Sequence, residues 1–211
     1  MKKYNVAIVG ATGAVGEALR VILEERDFPI GTLSLLASSR SAGELLNFSG
    51  NDIEVQDLDL FDFSNTDIAL FSAGGSVSAK YAPKAAKQGA VVIDNTSFFR
   101  YQKDIPLVVP EVNPHAIAQY KTRGIIANPN CSTIQMMVAV KPLHDLVGIE
   151  RITVSTYQAV SGSGRVAIDE LVKQTGELLN GRMVEPKVYS QPIAFNAIPQ
   201  IDVFLDNGYT K

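Results

Sequence analysis

A chain of 211 residues, 46% hydrophobic and 19% charged, is ordinary globular material, long enough for one large domain or two small ones. A net charge of −3 with mixed signs and no basic block argues against a nucleic-acid surface, and no apolar stretch has the length of a membrane span. The single cysteine excludes an intrachain disulfide and fits a reducing cytoplasm, and the short apolar run after Met1-Lys2-Lys3 is no signal peptide.

Strand and helix signals alternate through the first half. Residues 4–9 read as a strand, and residues 14–26 follow as a helix with Val15, Ala18, Leu19, Ile22 and Leu23 along one face. Residues 33–37 and 67–72 read as strands, the second followed by a helix over 76–88 that contains Pro83. Residues 90–94 and 124–127 complete the set. Continuous apolar strands alternating with helices predict an α/β fold, a doubly wound parallel sheet covered on both faces.

The chemistry-bearing residues sit on the turns that follow these strands. Gly10-Ala11-Thr12-Gly13-Ala14-Val15-Gly16 closes the first strand and opens the first helix. Its glycines allow a tight turn and the close approach of a pyrophosphate to a helix N-terminus, although the spacing departs from the stricter G-x-G-x-x-G. After the second strand, where sites for NAD carry an acidic residue, this chain has Ser38-Ser39-Arg40-Ser41. A guanidinium with hydroxyls suits a ribose 2′-phosphate, so NADP(H) is expected over NAD. Ser72-Ala73-Gly74-Gly75-Ser76 and Asp94-Asn95-Thr96-Ser97-Phe98-Phe99-Arg100 follow two later strands, and Arg100 is a candidate anion clamp.

Cys131 lies in Asn128-Pro129-Asn130-Cys131-Ser132-Thr133-Ile134-Gln135, between the strand at 124–127 and a helical run over 133–147. At a helix N-terminus, unpaired N–H groups and the positive dipole end favour a thiolate and stabilise an oxyanion on a carbonyl that the sulfur attacks. Cys131 is therefore the candidate nucleophile; its bland alternative is a small buried hydrophobe.

Beyond it, residues 151–159 alternate as a strand, with Gln158 at the polar end of one face, and Ser161-Gly162-Ser163-Gly164 forms a flexible turn. An amphipathic helix carrying Ile168, Leu171, Val172, Leu178 and Leu179 ends at Asn180-Gly181, and residues 182–198 look irregular. A boundary near Asn128 separates a nucleotide-binding domain, residues 1–128, from the start of an antiparallel α+β domain, residues 129–211. No metal site is expected.

Residues 10–16, 38–41, 94–100, 128–135, 156–162 and 195–206 closely resemble bacterial aspartate-semialdehyde dehydrogenases, and the similarity runs the length of the chain. The resemblance implies a Rossmann domain followed by a catalytic and dimerisation domain, cytoplasmic and assembled as a homodimer or homotetramer. It also implies NADPH-dependent reductive dephosphorylation of L-4-aspartyl phosphate to L-aspartate 4-semialdehyde, a small-molecule substrate of lysine, threonine and methionine synthesis. By the same resemblance, Cys131 forms the acyl-thioester, Arg100 holds the substrate phosphate, Asn130 lines the oxyanion region and Gln158 orients the acyl group. Gly10, Thr12, Gly13, Ala14, Val15, Ser38, Arg40, Ser41, Ser72, Ser161 and Gly162 would touch the cofactor.

Family members are longer, and their catalytic histidine and substrate-carboxylate arginine match nothing here. His115 and His144 are expected to be structural, and the chain is expected to be a truncated, inactive fragment. Two alternatives stay open: a related acyl-phosphate reductase, such as N-acetylglutamyl-phosphate reductase or a glyceraldehyde-phosphate dehydrogenase relative, and a non-catalytic dinucleotide-binding protein. Pro129-Asn130-Cys131-Ser132-Thr133 disfavours the first.

Overall fold

The computed structural model describes residues 2–210. They form two compact units, divided between Ile152 and Thr153. The first is built on a seven-stranded sheet of order β3-β4-β2-β1-β5-β6-β7. Its strands are β1 Tyr4–Val9, β2 Ile30–Ala37, β3 Leu45–Phe48, β4 Asn51–Asp57, β5 Ile68–Phe71, β6 Val91–Asp94 and β7 Ile125–Ala127. All neighbouring pairs are parallel except β3 with β4.

Alternation along β1 divides the core between the two faces of the sheet. Val6 and Ile8 join Leu33, Leu35 and Val55 on one face, where Leu19 and Leu23 of helix α1 (Ala14–Glu25) pack. Ala7 and Val9 join Phe71, Val92 and Ile125 on the other, against Tyr81, Ala82 and Ala85 of helix α2 (Gly75–Lys87). Burial on both faces is why these strands are continuously apolar. Pro83 lies inside α2 without ending it.

The predicted face of α1 is only partly right. Leu19 and Leu23 are half-buried, but Val15 and Ile22 are 40% and 46% exposed, and the one fully buried residue of the helix is Gly16. A Cβ on Gly16 would lie 2.3 Å from the carbonyl oxygen of Gly10. That close approach sets the rotation of the helix and turns Val15 and Ile22 outward.

The hairpin of β3 and β4 was not anticipated. Phe48 pairs with Asn51 across Ser49 and Gly50, whose φ angles of 50° and 77° are the two left-handed positions of a tight hairpin turn. Helix α3, Cys131–Val147, follows β7 and has no buried residue. A 3-10 helix over Pro114–Thr122 carries the exposed His115. His144, also exposed, accepts the N–H of Ile149 on Nδ1 at 3.2 Å and so caps the end of α3.

In the second unit, a 3-10 turn at Val160–Ser163 precedes helix α4, Arg165–Leu179. The strand expected over residues 151–159 is absent: this stretch is exposed and has no ladder partner among the described residues, and alternation alone makes no strand. The irregular backbone beyond α4 is satisfied by that helix instead. Buried Gln174 accepts from Ile193 and Ala194 N–H, and Glu170 accepts from Lys187 and Val188 N–H. No described helix is long and apolar enough to cross a membrane.

Candidate active site at the carboxyl ends of the strands

Beside β1 the strand order departs in two directions, to β2 on one side and β5 on the other, and the loops at that edge form the crevice where open parallel sheets bind ligands. Gly10 begins the first loop with φ +91°, and a Cβ there would come within 3.0 Å of Ala73 N in the loop after β5. Ser72, in that second loop, donates through both N and Oγ to the carbonyl of Val9. The glycine loop and the β5 loop are thus packed edge to edge.

Helix α1 starts at Ala14 with Gly13 as its N-cap and no side chain capping it. The N–H groups of Ala14, Val15 and Gly16 have no intrahelical acceptor, as at any helix start, and no cap oxygen takes their place. Uncapped donors, a positive dipole end and a floor of glycine fit a dinucleotide pyrophosphate. Thr12 is exposed at the tip of the loop.

The turn after β2 is closed by Ser41 N–H on the carbonyl of Ser38. Arg40, exposed within it, has no hydrogen bond or ion pair among the described residues. One acidic group near this turn escaped the sequence reading. Asp57 is paired with Ala37 across the β2–β4 ladder, and its Oδ1 accepts the N–H of Asp59 at 3.0 Å.

Cys131 is exposed at the first position of α3, where β7 delivers it through Asn128 and Pro129. Asn130 is the N-cap: its Oδ1 accepts Ser132 N at 3.0 Å and Ser132 Oγ at 2.6 Å, and lies 4.0 Å from Cys131 Sγ. Among the described residues Cys131 is exposed and not a core hydrophobe. The oxygen of Asn130 accepts within the helix start, which leaves the Nδ2 hydrogens of its amide as donors for a ligand.

Arg100, half-buried, is bound to both neighbouring loops. Its Nε donates to the carbonyl of Asn128 at 2.9 Å and its Nη2 to the carbonyl of Asn95 at 3.0 Å. Asn128 Nδ2 donates to Asn95 Oδ1 at 2.6 Å. Beneath them, fully buried Asp94 accepts the hydroxyls of Ser78 at 2.6 Å and Thr96 at 2.7 Å, tying α2 to the end of β6. Asn95, Asn128, Asp94 and Ser78 had been given no role from sequence; a carboxylate ending an apolar strand was the available signal for Asp94.

One edge of the sheet therefore collects Gly10, Thr12, Gly13, Ala14, Val15, Ser38, Arg40, Ser41, Ser72, Arg100, Asn130 and Cys131 on the loops after β1, β2, β5, β6 and β7. Gln158, Ser161 and Gly162 belong to the second unit, all three exposed. Among the described residues no group of three or more His, Cys, Asp or Glu is placed to hold a metal ion.

The family model described as semialdehyde dehydrogenase, NAD binding domain, matches residues 5–120, and the one described as semialdehyde dehydrogenase, dimerisation domain, matches residues 140–211. Over 210 residues the chain is 63% identical to aspartate-semialdehyde dehydrogenase 2 of Vibrio cholerae, a match covering all of this chain and 62% of that one. The crystal structure of aspartate semialdehyde dehydrogenase II from Vibrio cholerae complexed with ASA superposes with a TM-score of 0.97 at 62% identity, covering 100% of this chain and 63% of that one. Aspartate semialdehyde dehydrogenase with NADP from Candida albicans aligns with a TM-score of 0.60 at 29% identity, over 70% of this chain and 48% of that one. The chain spans about three fifths of the length of the curated relatives it matches. With one family model covering more than half of its residues and a second following it, the chain belongs to the semialdehyde dehydrogenase family.

Proposed function

We propose that the protein to which this sequence belongs reduces L-4-aspartyl phosphate to L-aspartate 4-semialdehyde and phosphate with NADPH. The observation that carries this is the exposed thiol of Cys131 at the start of α3, on the loop whose carbonyl also holds Arg100. Similarity to relatives named for this activity supports the choice of substrate.

In this reading Cys131 Sγ attacks the acyl carbon, a C–S bond forms as the C–O bond to phosphorus breaks, and phosphate departs toward Arg100. The free N–H groups at the start of α3 and Asn130 Nδ2 stabilise the oxyanion. Bound NADPH would supply the hydride that reduces the thioester, and Cys131 would then leave the thiohemiacetal as the thiol, releasing the aldehyde. The uncapped start of α1 and the glycine floor would hold the pyrophosphate, with Ser72 and the 38–41 turn beside it, and Arg40 would pair with the 2′-phosphate. Likeness to a relative solved with NADP supports this choice.

The resemblance of residues 156–162 assigns Gln158 to the acyl group and Ser161 and Gly162 to the cofactor. We assign residues 1–128 to NADP binding and 129–211 to catalysis and dimerisation, in a cytoplasmic homodimer or homotetramer; the matching dimerisation-domain model supports the self-association. The test runs in reverse: the semialdehyde, phosphate and NADP should yield absorbance of reduced nicotinamide that disappears in Cys131→Ala. Reduction that persists in Cys131→Ala, or that proceeds without phosphate, sinks the reading.

A further inference from the structure

We infer that Asn95 and Asn128 are positioning residues that aim Arg100 at an oxyanion. The inference rests on the reading of Arg100 as the phosphate clamp. A guanidinium carries five N–H donors in a planar fork. In Arg100, Nε and Nη2 lie along one edge of that fork, and both face main-chain carbonyls, of Asn128 and Asn95 respectively. The edge formed by Nη1 and the second Nη2 hydrogen has no acceptor among the described residues. That edge has the geometry for two oxygens of one anion.

The two carbonyls belong to different loops, one after β6 and one after β7. Strand pairing stops at Asp94 with Ala127, one residue short of both asparagines, and the backbone adds a bond from Asn128 N–H to the carbonyl of Asp94. The side-chain bond from Asn128 Nδ2 to Asn95 Oδ1, at 2.6 Å, fixes the spacing of the two carbonyls that Arg100 grips. Without it each carbonyl follows its own loop, and the guanidinium loses one face of its holder. Because Pro129, Asn130 and Cys131 continue directly from Asn128, the same bond sets where the anion lies relative to the sulfur. The pair touches neither anion nor sulfur in this scheme and acts through Arg100.

The experiment uses inorganic phosphate and the full chain. Binding is followed by calorimetry, and the Arg100 Nε–H is followed by nitrogen–proton NMR as a readout of its hydrogen bond. Arg100→Ala should abolish phosphate binding. Asn95→Ala and Asn128→Ala should each weaken it about five- to tenfold, the scale of one net hydrogen bond, and should speed exchange of the Arg100 Nε–H. Asn95→Asp retains an oxygen acceptor for Asn128 Nδ2 and should restore slow exchange. Thermal unfolding and NADP affinity should stay near those of the unmutated chain in whichever alanine variant folds; one folded variant suffices. Undiminished phosphate affinity in a folded alanine variant overturns the inference, as does an unmutated chain that binds phosphate no better than Arg100→Ala. Asparagine-dependent phosphate binding without semialdehyde oxidation would instead remove the proposed reaction and leave the positioning role standing.

Discussion

The carbonyl oxygen of Gly10 lies 2.3 Å from the point where a Cβ on Gly16 would stand, so the first and last glycines of the loop after β1 touch backbone to backbone. The nearest obstacles to that Cβ, Gly10 O and the Cα and C of Ala11, are all main-chain atoms and cannot swing aside as a flexible side chain would. Gly16→Ala should therefore shift α1 or the loop itself. Overpacking of this kind costs about 1–3 kcal/mol. Urea unfolding of the first unit should show a loss of that size, together with weaker NADP binding; unchanged values of both would mean that the loop relaxes freely.

Arg40 has no partner within the described chain and is available to a ligand. Arg40→Ala should lower NADP affinity by roughly ten- to a hundredfold, the scale of a charge-assisted hydrogen bond, while NAD affinity stays within about twofold. Calorimetry with both dinucleotides decides it. Parallel losses for NADP and NAD would place Arg40 away from the 2′-phosphate.

Asn130 holds the start of α3 through Ser132 N and Oγ. Loss of such a cap typically costs about 1 kcal/mol. Asn130→Ala should show that loss in urea unfolding and should also slow alkylation of Cys131 by iodoacetamide, because the sulfur's helical turn is no longer fixed. Asn130→Asp keeps the cap and should keep the stability. Equal unfolding curves for all three proteins would show that the cap has no energetic role.

Asp62 caps the 3-10 turn Phe63–Asn65, accepting from Ser64 N at 3.2 Å, Ser64 Oγ at 2.8 Å and Gln88 Nε2 at 2.8 Å. The side-chain and backbone bonds from Ser64, more than the nearby Lys84 charge, hold its carboxyl below the usual aspartate value. A lowered folded value means that its contribution to stability is present above the unfolded pKa and is lost as pH falls through the folded one. A carbon-13 titration of the Asp62 carboxyl should give a midpoint below that of aspartate in an unstructured peptide. In Ser64→Ala the midpoint should rise toward the peptide value; a midpoint unmoved by that change assigns the shift to another cause.

The parallel sheet was legible because strands buried on both faces, such as β1 and β5, write themselves as apolar runs. The loops after them were legible because glycine, serine and cysteine stand where chain direction turns. The β3–β4 hairpin went unread although Ile53 and Val55 alternate with polar neighbours and Ser49-Gly50 marks the turn: each short strand sends only two side chains to the core, Leu46 and Phe48 from β3 and Ile53 and Val55 from β4, too few to stand out. Residues 151–159 gave the opposite error, since alternation records a face and says nothing of a hydrogen-bonding neighbour. Asp57 and the pairing of Asn95 with Asn128 were out of reach for a third reason. Each depends on which strands become neighbours, and the partners stand 20 and 33 positions apart in the chain.

Helix α3 has consequences for how Cys131 is held. It carries Cys131 at its first turn, yet none of its seventeen residues is buried. With only half-buried side chains such as Ile134, Met136, Met137 and Val140 to add to its backbone bonds and its ends, α3 in this chain should exchange its amides with solvent at free energies below that of the sheet behind it. The two ends are tied, by Asn130 at the start and by His144 and Gly148 at the finish. The sulfur of Cys131 thus sits at the junction between β7, with its fully buried Ile125 and Ala127, and a helix that the described residues cover only in part. Any surface that packs against α3 would damp those fluctuations and steady the thiol without touching it.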